Sequence, residues 1–375
     1  MTETSPSLYY TSGVILSQAE KAVLDYFKYS EAAIDVPTDG IRLHFLTDYN
    51  QGITDFDHCA LQEHQIFMAI TGMDFVARKD GLANAMSVMW GVNQPWTPKT
   101  CSLIDPYTFK INQQDYALLL DVLKQDGKSH VIAKKNLQRQ EGLVIHSLED
   151  VPTPEQLLKD GYIVLQEIVE RPLLFHDRKI NLRYYVLFLQ RKGTLKIFTH
   201  QTAILNYAKK PVHQDMQFDK DNLITTAFLD PIDYKALPLD SRVLFETLSN
   251  GDNNRARQVI HHALQAACIS LAPWVMHQSG PATYAQIFGA DVQIDATLQR
   301  ATVFEFNKQP DLNFWDERDL GLKVAVVRDF YNEIGIINMS QDTSANLVLL
   351  WQDGHGDIGS QIRRNVIMKG KEKKK

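Results

Sequence analysis

Phe304-Glu305-Phe306-Asn307-Lys308 closes an apolar run that reads as a β-strand. Successive strand side chains leave opposite faces, so Glu305 and Asn307 share one. Upstream, Phe288-Gly289-Ala290-Asp291-Val292-Gln293-Ile294 is a second strand-like run. A hairpin turning near Leu298 places Asp291 across from Glu305. Two carboxylates and one amide oxygen then converge on one point. That all-oxygen donor set suits Mg²⁺, with substrate phosphates completing its shell. Acidic residues at such spacing more commonly sit on a solvated hairpin face. The apolar flanks argue against that here, because a buried carboxylate requires a partner.

Working outward, Arg178-Lys179-Ile180-Asn181-Leu182-Arg183-Tyr184-Tyr185-Val186 alternates polar and apolar before turning fully apolar. Period two sends Lys179, Asn181 and Arg183 to one face. The alternatives are an exposed edge strand or a cationic wall facing phosphate, where arginine forks onto two oxygens. Lys134 ends the run His130-Lys134 ahead of a polar loop whose one glycine is Gly142. A lysine there is a flexible point charge suited to phosphate. Taken alone, the loop reads more simply as a basic surface segment. Gln166-Glu167-Ile168-Val169-Glu170-Arg171-Pro172-Leu173-Leu174 reads as a strand end leading into a connector. The backbone of such a connector can pair with an adenine edge, though an ordinary strand end is the simpler reading.

The chain has 375 residues, 44% of them apolar and 22% charged, which describes a globular protein of two or three domains. A net charge of −6 argues against a general nucleic-acid binder. Cys59, Cys101 and Cys268 are scattered and odd in number, so neither a disulfide framework nor a zinc site is expected. That usage points to a reducing, cytoplasmic setting. No apolar run reaches membrane-spanning length. The polar Met1 to Ser12 stretch does not read as a signal peptide.

Ser17 and Glu20 form a capping-box pattern for a helix to about Tyr29. Ile41 to Leu46 reads as a strand. Asp80 is expected to cap a helix through Met89. Trp90 to Pro106 carries three prolines and reads as a loop and boundary. A helix is expected from Gln113 to Lys124, stopping at Gly127. Strands follow at 130–134, 142–146, 162–166, 180–189 and 194–200, with Arg191-Lys192-Gly193 as a turn. Helices are expected over 255–271 and 319–333, and strands over 288–294 and 302–307. The order predicts an α+β protein built around antiparallel sheets. Asp311, Asp316, Glu317, Arg318 and Asp319 read as a solvated helix start. His261 and His262 read as structural, and Lys369 to Lys375 as a solvated tail.

The ordered set resembles the tubulin-tyrosine-ligase-like family of ATP-grasp ligases, from about Gln65 to about Asp329. The motifs that carry the resemblance are several. Ile66 to Leu82, with Gly72 and Arg78-Lys79-Asp80, is similar to the family segment ending in Lys-Asp. Tyr107-Thr108-Phe109 is similar to its Thr-Phe entry. Val131-Ile132-Ala133-Lys134 is similar to the strand carrying the phosphate lysine, and Gln166 to Leu174 to the hinge. Arg178-Lys179 with Arg183 is similar to Arg-Lys-Phe-Asp-x-Arg. Asp291, Glu305 and Asn307 are similar to the Mg²⁺ triad. The resemblance implies an ATP-grasp architecture: a small N-terminal α/β domain over 1–100, a central domain over 101–190, a C-terminal domain over 191–368 and a basic tail over 369–375. It implies ATP and Mg²⁺ as cofactors, with the triad on the metal. It places Lys134, Gly142, Lys179 and Arg183 by the phosphates, and Gln166, Glu167, Ile168 and Val169 by adenine. It gives Lys179, Arg183 and Glu305 catalytic roles. Its partners would be a free amino acid and a protein acceptor, tubulin among the candidates, with no nucleic acid.

The family pattern is broken in places. Asn181 replaces its Asp, Glu167 its hinge Lys, Asn206 a later Arg, and Ile224-Thr225-Thr226 its Leu-Thr-Asn loop. The nucleotide and metal side looks intact and the amino-acid side rebuilt. Lys209 or Lys210 is expected to supply the charge lost at Asn206. The alternatives are an ATP-binding pseudoenzyme or interaction module, and a small-molecule ATP-grasp ligase.

Overall fold

The computed structural model describes residues 8–12, 15–31, 42–45, 62–70, 72–91, 93–105, 108–136, 142–169, 171–212, 220–226, 229–275, 280–339 and 346–353. The expected loop segment 137–141 and the Lys369 to Lys375 tail lie outside those residues, as do Tyr107 and Cys59.

The strands in chain order are β1 Leu8–Ser12, β2 Tyr29–Glu31, β3 Leu43–Phe45, β4 Ile66–Phe67, β5 Thr100–Ser102, β6 His130–Lys135, β7 Leu143–Ser147 and β8 Tyr162–Glu167. They continue with β9 Leu174–Phe175, β10 Arg178–Arg191, β11 Thr194–His200, β12 Ile204–Ala208, β13 Thr225–Thr226, β14 Thr283–Ile294, β15 Ala301–Asn307 and β16 Leu347–Gln352. Among the described residues they form a 12-stranded sheet and a 4-stranded sheet of order β5-β8-β6-β7. The protein is α+β.

The large sheet is built on β10 and β14, paired antiparallel from Leu182↔Val292 to Arg191↔Thr283. Both strands are buried on both faces, so they read as continuous apolar runs. Period two divides β10 between two cores: Tyr184, Val186 and Phe188 face one, and Tyr185, Leu187 and Leu189 the other. The first core is covered by helices Lys79–Trp90 and Asn250–Leu271. The long helix offers Ala256, Ile260, Ala263, Leu264, Ala267, Cys268 and Leu271, a three-and-four spacing that makes one apolar face. The second core is covered by helices Gln18–Tyr26 and Glu317–Ile334. The Ser17–Glu20 capping box forms as read.

Four features go beyond the sequence reading. The N-terminal strands do not make a sheet of their own: β4 pairs parallel with β14 at Thr283 and Tyr284, where β15 leaves that edge open. The large sheet is therefore mixed, not antiparallel throughout. Thr100–Ser102 is a strand inside the proline-rich stretch, because as an edge strand it pairs only with β8. β10 ends at Arg191, and its hairpin partner β11 stays in the same sheet. By sheet, β5 to β8 stand apart and the remaining strands belong together. Asp80 does not cap the helix: Arg78 is the N-cap, and Asp80 lies one residue inside, paired with the Arg78 guanidinium at 2.7 Å.

Candidate active site

Antiparallel register decides which polar groups meet. Arg183 stands opposite Asp291 on the β10–β14 ladder, and Asp291 stands opposite Glu305 on β14–β15. Gly289 stands opposite Asn307. Opposite residues share a face, so Arg183, Asp291, Glu305 and Asn307 point the same way. Lys179 and Asn181 join them by period two, and Asn206 joins through its pairing with Asn181.

Arg183 holds Asp291 bidentately, Nε to Oδ1 at 2.7 Å and Nη2 to Oδ2 at 2.9 Å. Burial opposes the guanidinium charge, but Asp291 outweighs it and raises the Arg183 pKa further. Gly289 makes this geometry possible. A Cβ there would lie 2.8 Å from Arg183 Cδ and 3.1 Å from Pro310 Cβ. Asn307 Nδ2 lies 3.3 Å from both Asp291 Oδ2 and Glu305 Oε1, so the three expected ligands are one cluster. A half-turn of the amide would present its oxygen to the same point. Among the described residues no group of three or more His, Cys, Asp or Glu is arranged for a metal; this cluster has two carboxylates and an amide. As an oxygen-only set it suits a hard divalent cation.

The β14–β15 register slips after Asp291, from Asp291↔Glu305 to Val292↔Val303, so Phe304 is the extra residue of a β-bulge. The Phe304 ring is approached by two lysines from different sheets. Lys134 Nζ of β6 and Lys179 Nζ of β10 each stand 5.8 Å from its centroid. Burial pulls both lysines down to about 8, and Lys134 adds repulsion at Lys179. Lys134 also feels attraction from Glu305 and repulsion from Lys79. Burial and then Asp291 push the Glu305 carboxyl up, against the pull of Lys134, Lys79 and Arg183. The groove between the sheets is thus a balanced set of buried charges, and added anion or cation changes every member.

Residues 60–226 match the tubulin-tyrosine ligase family. A human (Homo sapiens) relative described as tubulin polyglutamylase TTLL7 is 26% identical over 148 residues, 39% of this chain. The chain covers 16% of that relative's length. The resemblance read from the sequence is therefore borne out over residues 60–226, as a divergent likeness to that family. The matched segment holds Lys79, Lys134, Lys179, Arg183 and Asn206. Asp291, Glu305 and Asn307 lie beyond it, and register brings them to its face.

Departures from the tubulin-tyrosine-ligase-like pattern have structural causes. Glu167, at the hinge-lysine position, is buried; it accepts from Lys99 N at 3.0 Å and faces Arg300 Nη2 at 3.5 Å. It anchors the β14–β15 turn against the small sheet. The backbone of Gln166 is flanked by Thr100 and Ile132 in the ladders, and Glu167 N donates to Lys99 O. Of the four expected adenine residues, Ile168 and Val169 lie past the strand end. The connector then docks on the hairpin, Leu173 N to Ile294 O and Ala296 N to Arg171 O. Gly142 has φ +69°, and a Cβ there would strike Lys135 Cβ at 2.7 Å, so its glycine is required by the β6–β7 connection.

Lys209 and Lys210 do not take the place expected for them. Both are exposed, and Lys210 pairs with Asp221 at 2.9 Å. A further cation beside the cluster is Lys79, at the first turn of helix Lys79–Trp90, whose charge bears on Glu305 and Lys134. The Arg78-Lys79-Asp80 triplet was the available signal, but only tertiary packing shows which of the three faces the groove. Asp319 also differs from expectation: it is buried, not solvated.

Proposed function

We propose that this chain is an ATP- and Mg²⁺-dependent carboxylate–amine ligase of ATP-grasp architecture, joining an amine, in the first instance an amino acid, to a protein carboxylate in the cytoplasm. The observation that carries the reading is the convergence of Asp291, Glu305 and Asn307 with Lys79, Lys134 and Lys179 across the groove between the sheets. Three oxygen donors beside three lysines suit a metal-bound polyphosphate better than either group suits water.

In this reading Asp291, Glu305 and Asn307 would hold Mg²⁺, which would shield phosphate charge during transfer. Lys134 and Lys179 reach the phosphates from opposite sheets. Arg183 fixes Asp291 and lends its charge to the transferring phosphoryl group. Ile168 and Val169 offer backbone to adenine. An acceptor carboxylate oxygen attacks the γ-phosphorus and ADP leaves, giving an acyl phosphate. The amine nitrogen then attacks the acyl carbon, inorganic phosphate leaves, and the nitrogen gives up a proton as the amide forms.

The human relative's description makes tubulin with glutamate the first pair to try. The broader test incubates cell lysate with the protein, Mg-ATP and labelled amino acids, followed by mass spectrometry. A labelled, ATP-dependent adduct is expected. No adduct, and no stimulation of ATP hydrolysis by any of the twenty amino acids, would sink the ligase reading. The exposed Lys209 and Lys210 with neutral Asn206 favour a second reading, an ATP-binding pseudoenzyme; it predicts nucleotide binding without that stimulation.

A further inference from the structure

The small sheet is one continuous stretch of chain. β5 to β8 span 100–167, so two backbone segments join it to the large sheet, 91–99 on entry and 168–173 on exit. Both are pinned to the tip of the β14–β15 hairpin. On entry, Val303 N donates to Trp96 O at 2.8 Å, and Arg300 donates Nε to Pro95 O at 2.8 Å and Nη2 to Thr97 O at 3.4 Å. On exit, Leu173 N donates to Ile294 O at 2.8 Å and Ala296 N to Arg171 O at 2.9 Å. Asp295 stiffens the tip between them: its Oδ1 accepts from Gln299 N and Arg300 N, both at 2.9 Å. Two pinned crossings at one end of a groove make a hinge.

One ion pair sits on that hinge. Glu167 ends β8 with its side chain 3% exposed, and Arg300 Nη2 stands 3.5 Å from its Oε2. The same oxygen accepts from Lys99 N at 3.0 Å. One buried carboxylate thus ties the end of the small sheet to the entry segment and to the hairpin, and Arg300 offsets its charge. The tubulin-tyrosine-ligase-like pattern has lysine at this position, which would face Arg300 as a like charge. The pair is therefore a feature of this chain. Its geometry reaches the groove from both sides. Arg300 immediately precedes β15, which carries Glu305 and Asn307. Glu167 stands opposite Val131 on β6, and Lys134 lies three residues along that strand. Three strand residues span about 10 Å, so a rotation of about 10° at the pair would carry Lys134 about 2 Å relative to Glu305. Lys134 Nζ stands 5.8 Å from the Phe304 ring, an approach that such a shift would undo.

We propose that Glu167 and Arg300 are positioning residues, whose ion pair is a strut that fixes the angle between the two sheets and holds Lys134 against the Asp291–Glu305–Asn307 cluster before nucleotide arrives. The role towards nucleotide rests on the ligase reading; the strut does not. Without the pair, the groove of this width becomes one population among several, and apparent nucleotide affinity falls by the fraction that keeps it. Chemistry inside the filled groove is left alone, since the partners of the Arg300 side chain are Glu167 and two backbone carbonyls.

Pulsed electron–electron resonance on the full chain measures the angle directly. Genetically encoded spin labels replace Asp121 and Asn254, both exposed, on helices that pack against the small and the large sheet. Arg300→Met removes the charge and both carbonyl bonds. Glu167→Gln removes the charge and leaves an amide oxygen for Lys99 N. With wild-type residues at 167 and 300, one narrow distance is expected with and without Mg-ATP. Arg300→Met should broaden the nucleotide-free distribution, and saturating Mg-ATP should narrow it again. In that variant the Kd and KM for Mg-ATP should rise about tenfold, with kcat for ATP turnover within about twofold of wild type. Glu167→Gln should broaden the distribution less, and Arg300→Lys, which keeps the charge, should recover part of the affinity. A pair that served stability alone would lower the unfolding midpoint and move neither the distance nor the split between KM and kcat. Unbroadened distances in both Arg300→Met and Glu167→Gln overturn the strut. Broadening with unchanged Mg-ATP affinity overturns the positioning role, while the strut stands. No Mg-ATP binding by the wild-type chain sinks the ligase reading and the positioning role with it, and the distances still decide the strut.

Discussion

Glu305 is the residue on which the charges of the groove meet, facing Asp291, Lys134, Lys79 and Arg183. Glu305→Gln keeps its shape and removes its charge, so Mg-ATP turnover should fall by about two orders of magnitude or more. Lys134→Ala should mainly weaken ATP binding; unchanged ATP affinity in both variants by calorimetry would refute the nucleotide site. Gly289→Ala tests the close approach of Arg183. The added methyl must displace the Arg183 side chain or Pro310, and a loss of about 1–3 kcal/mol in stability is expected by urea unfolding. The lysines give a pH signature. Lys134 and Lys179 sit near 8 in the nucleotide-free protein, so a bound triphosphate should raise them and take up protons at pH 8. Calorimetry in buffers of different ionisation enthalpy measures that uptake, which should shrink in Lys134→Ala. For stability the sign is opposite to that of a paired lysine. The folded values lie below the ordinary 10.5, so the unfolded chain holds more protons between about 8 and 10.5. Their contribution to stability therefore rises with pH across that window and is flat below it.

At the scale of elements, the helix Glu317–Ile334 covers the second core of the large sheet. Its N-cap Asp316 accepts from the backbone of Arg318 and Asp319 and pairs with the Arg318 guanidinium at 2.7 Å. Asp316→Ala should cost about 1–2 kcal/mol in denaturant unfolding. It should also loosen Arg318 from the carbonyls of Tyr234, Lys235 and Leu237; wild-type stability would show that the cap does not hold this helix start. The β14–β15 hairpin shows how much of an element a sequence can carry. The Asp291–Glu305 opposition follows from two apolar runs and a turn near Leu298, which does take φ +56°. The bulge at Phe304 did not follow, because an extra residue leaves alternation intact on either side of it. Yet the bulged Phe304 is the ring that the lysines of two sheets approach.

Across the whole molecule, the β10–β14 pair joins every layer. Phe288 packs edge-on against Phe188 at 5.3 Å and Phe306 at 6.3 Å, and all three are fully buried. Phe288→Ala should cost about 3–5 kcal/mol in denaturant unfolding. A much smaller loss would mean that the two strands do not form the central core. Local patterning was enough for the elements with strong periodicity, the capping box at Ser17, the face shared by Lys179, Asn181 and Arg183, and the meeting of Asp291, Glu305 and Asn307. Each depends on alternation or helical spacing within a few residues, which is a local property of the chain. Tertiary structure alone decided the rest. β4 joins β14 across more than two hundred residues because β15 leaves an edge unpaired. Lys79 acts on Glu305 because a helix far upstream packs beside β15, while Lys209 and Lys210 stay exposed. Glu167 is engaged by Lys99 and Arg300, and Asp319 is buried in a pair with Lys323. Such roles depend on which surfaces meet after the chain has collapsed, and neighbours in sequence carry no record of them.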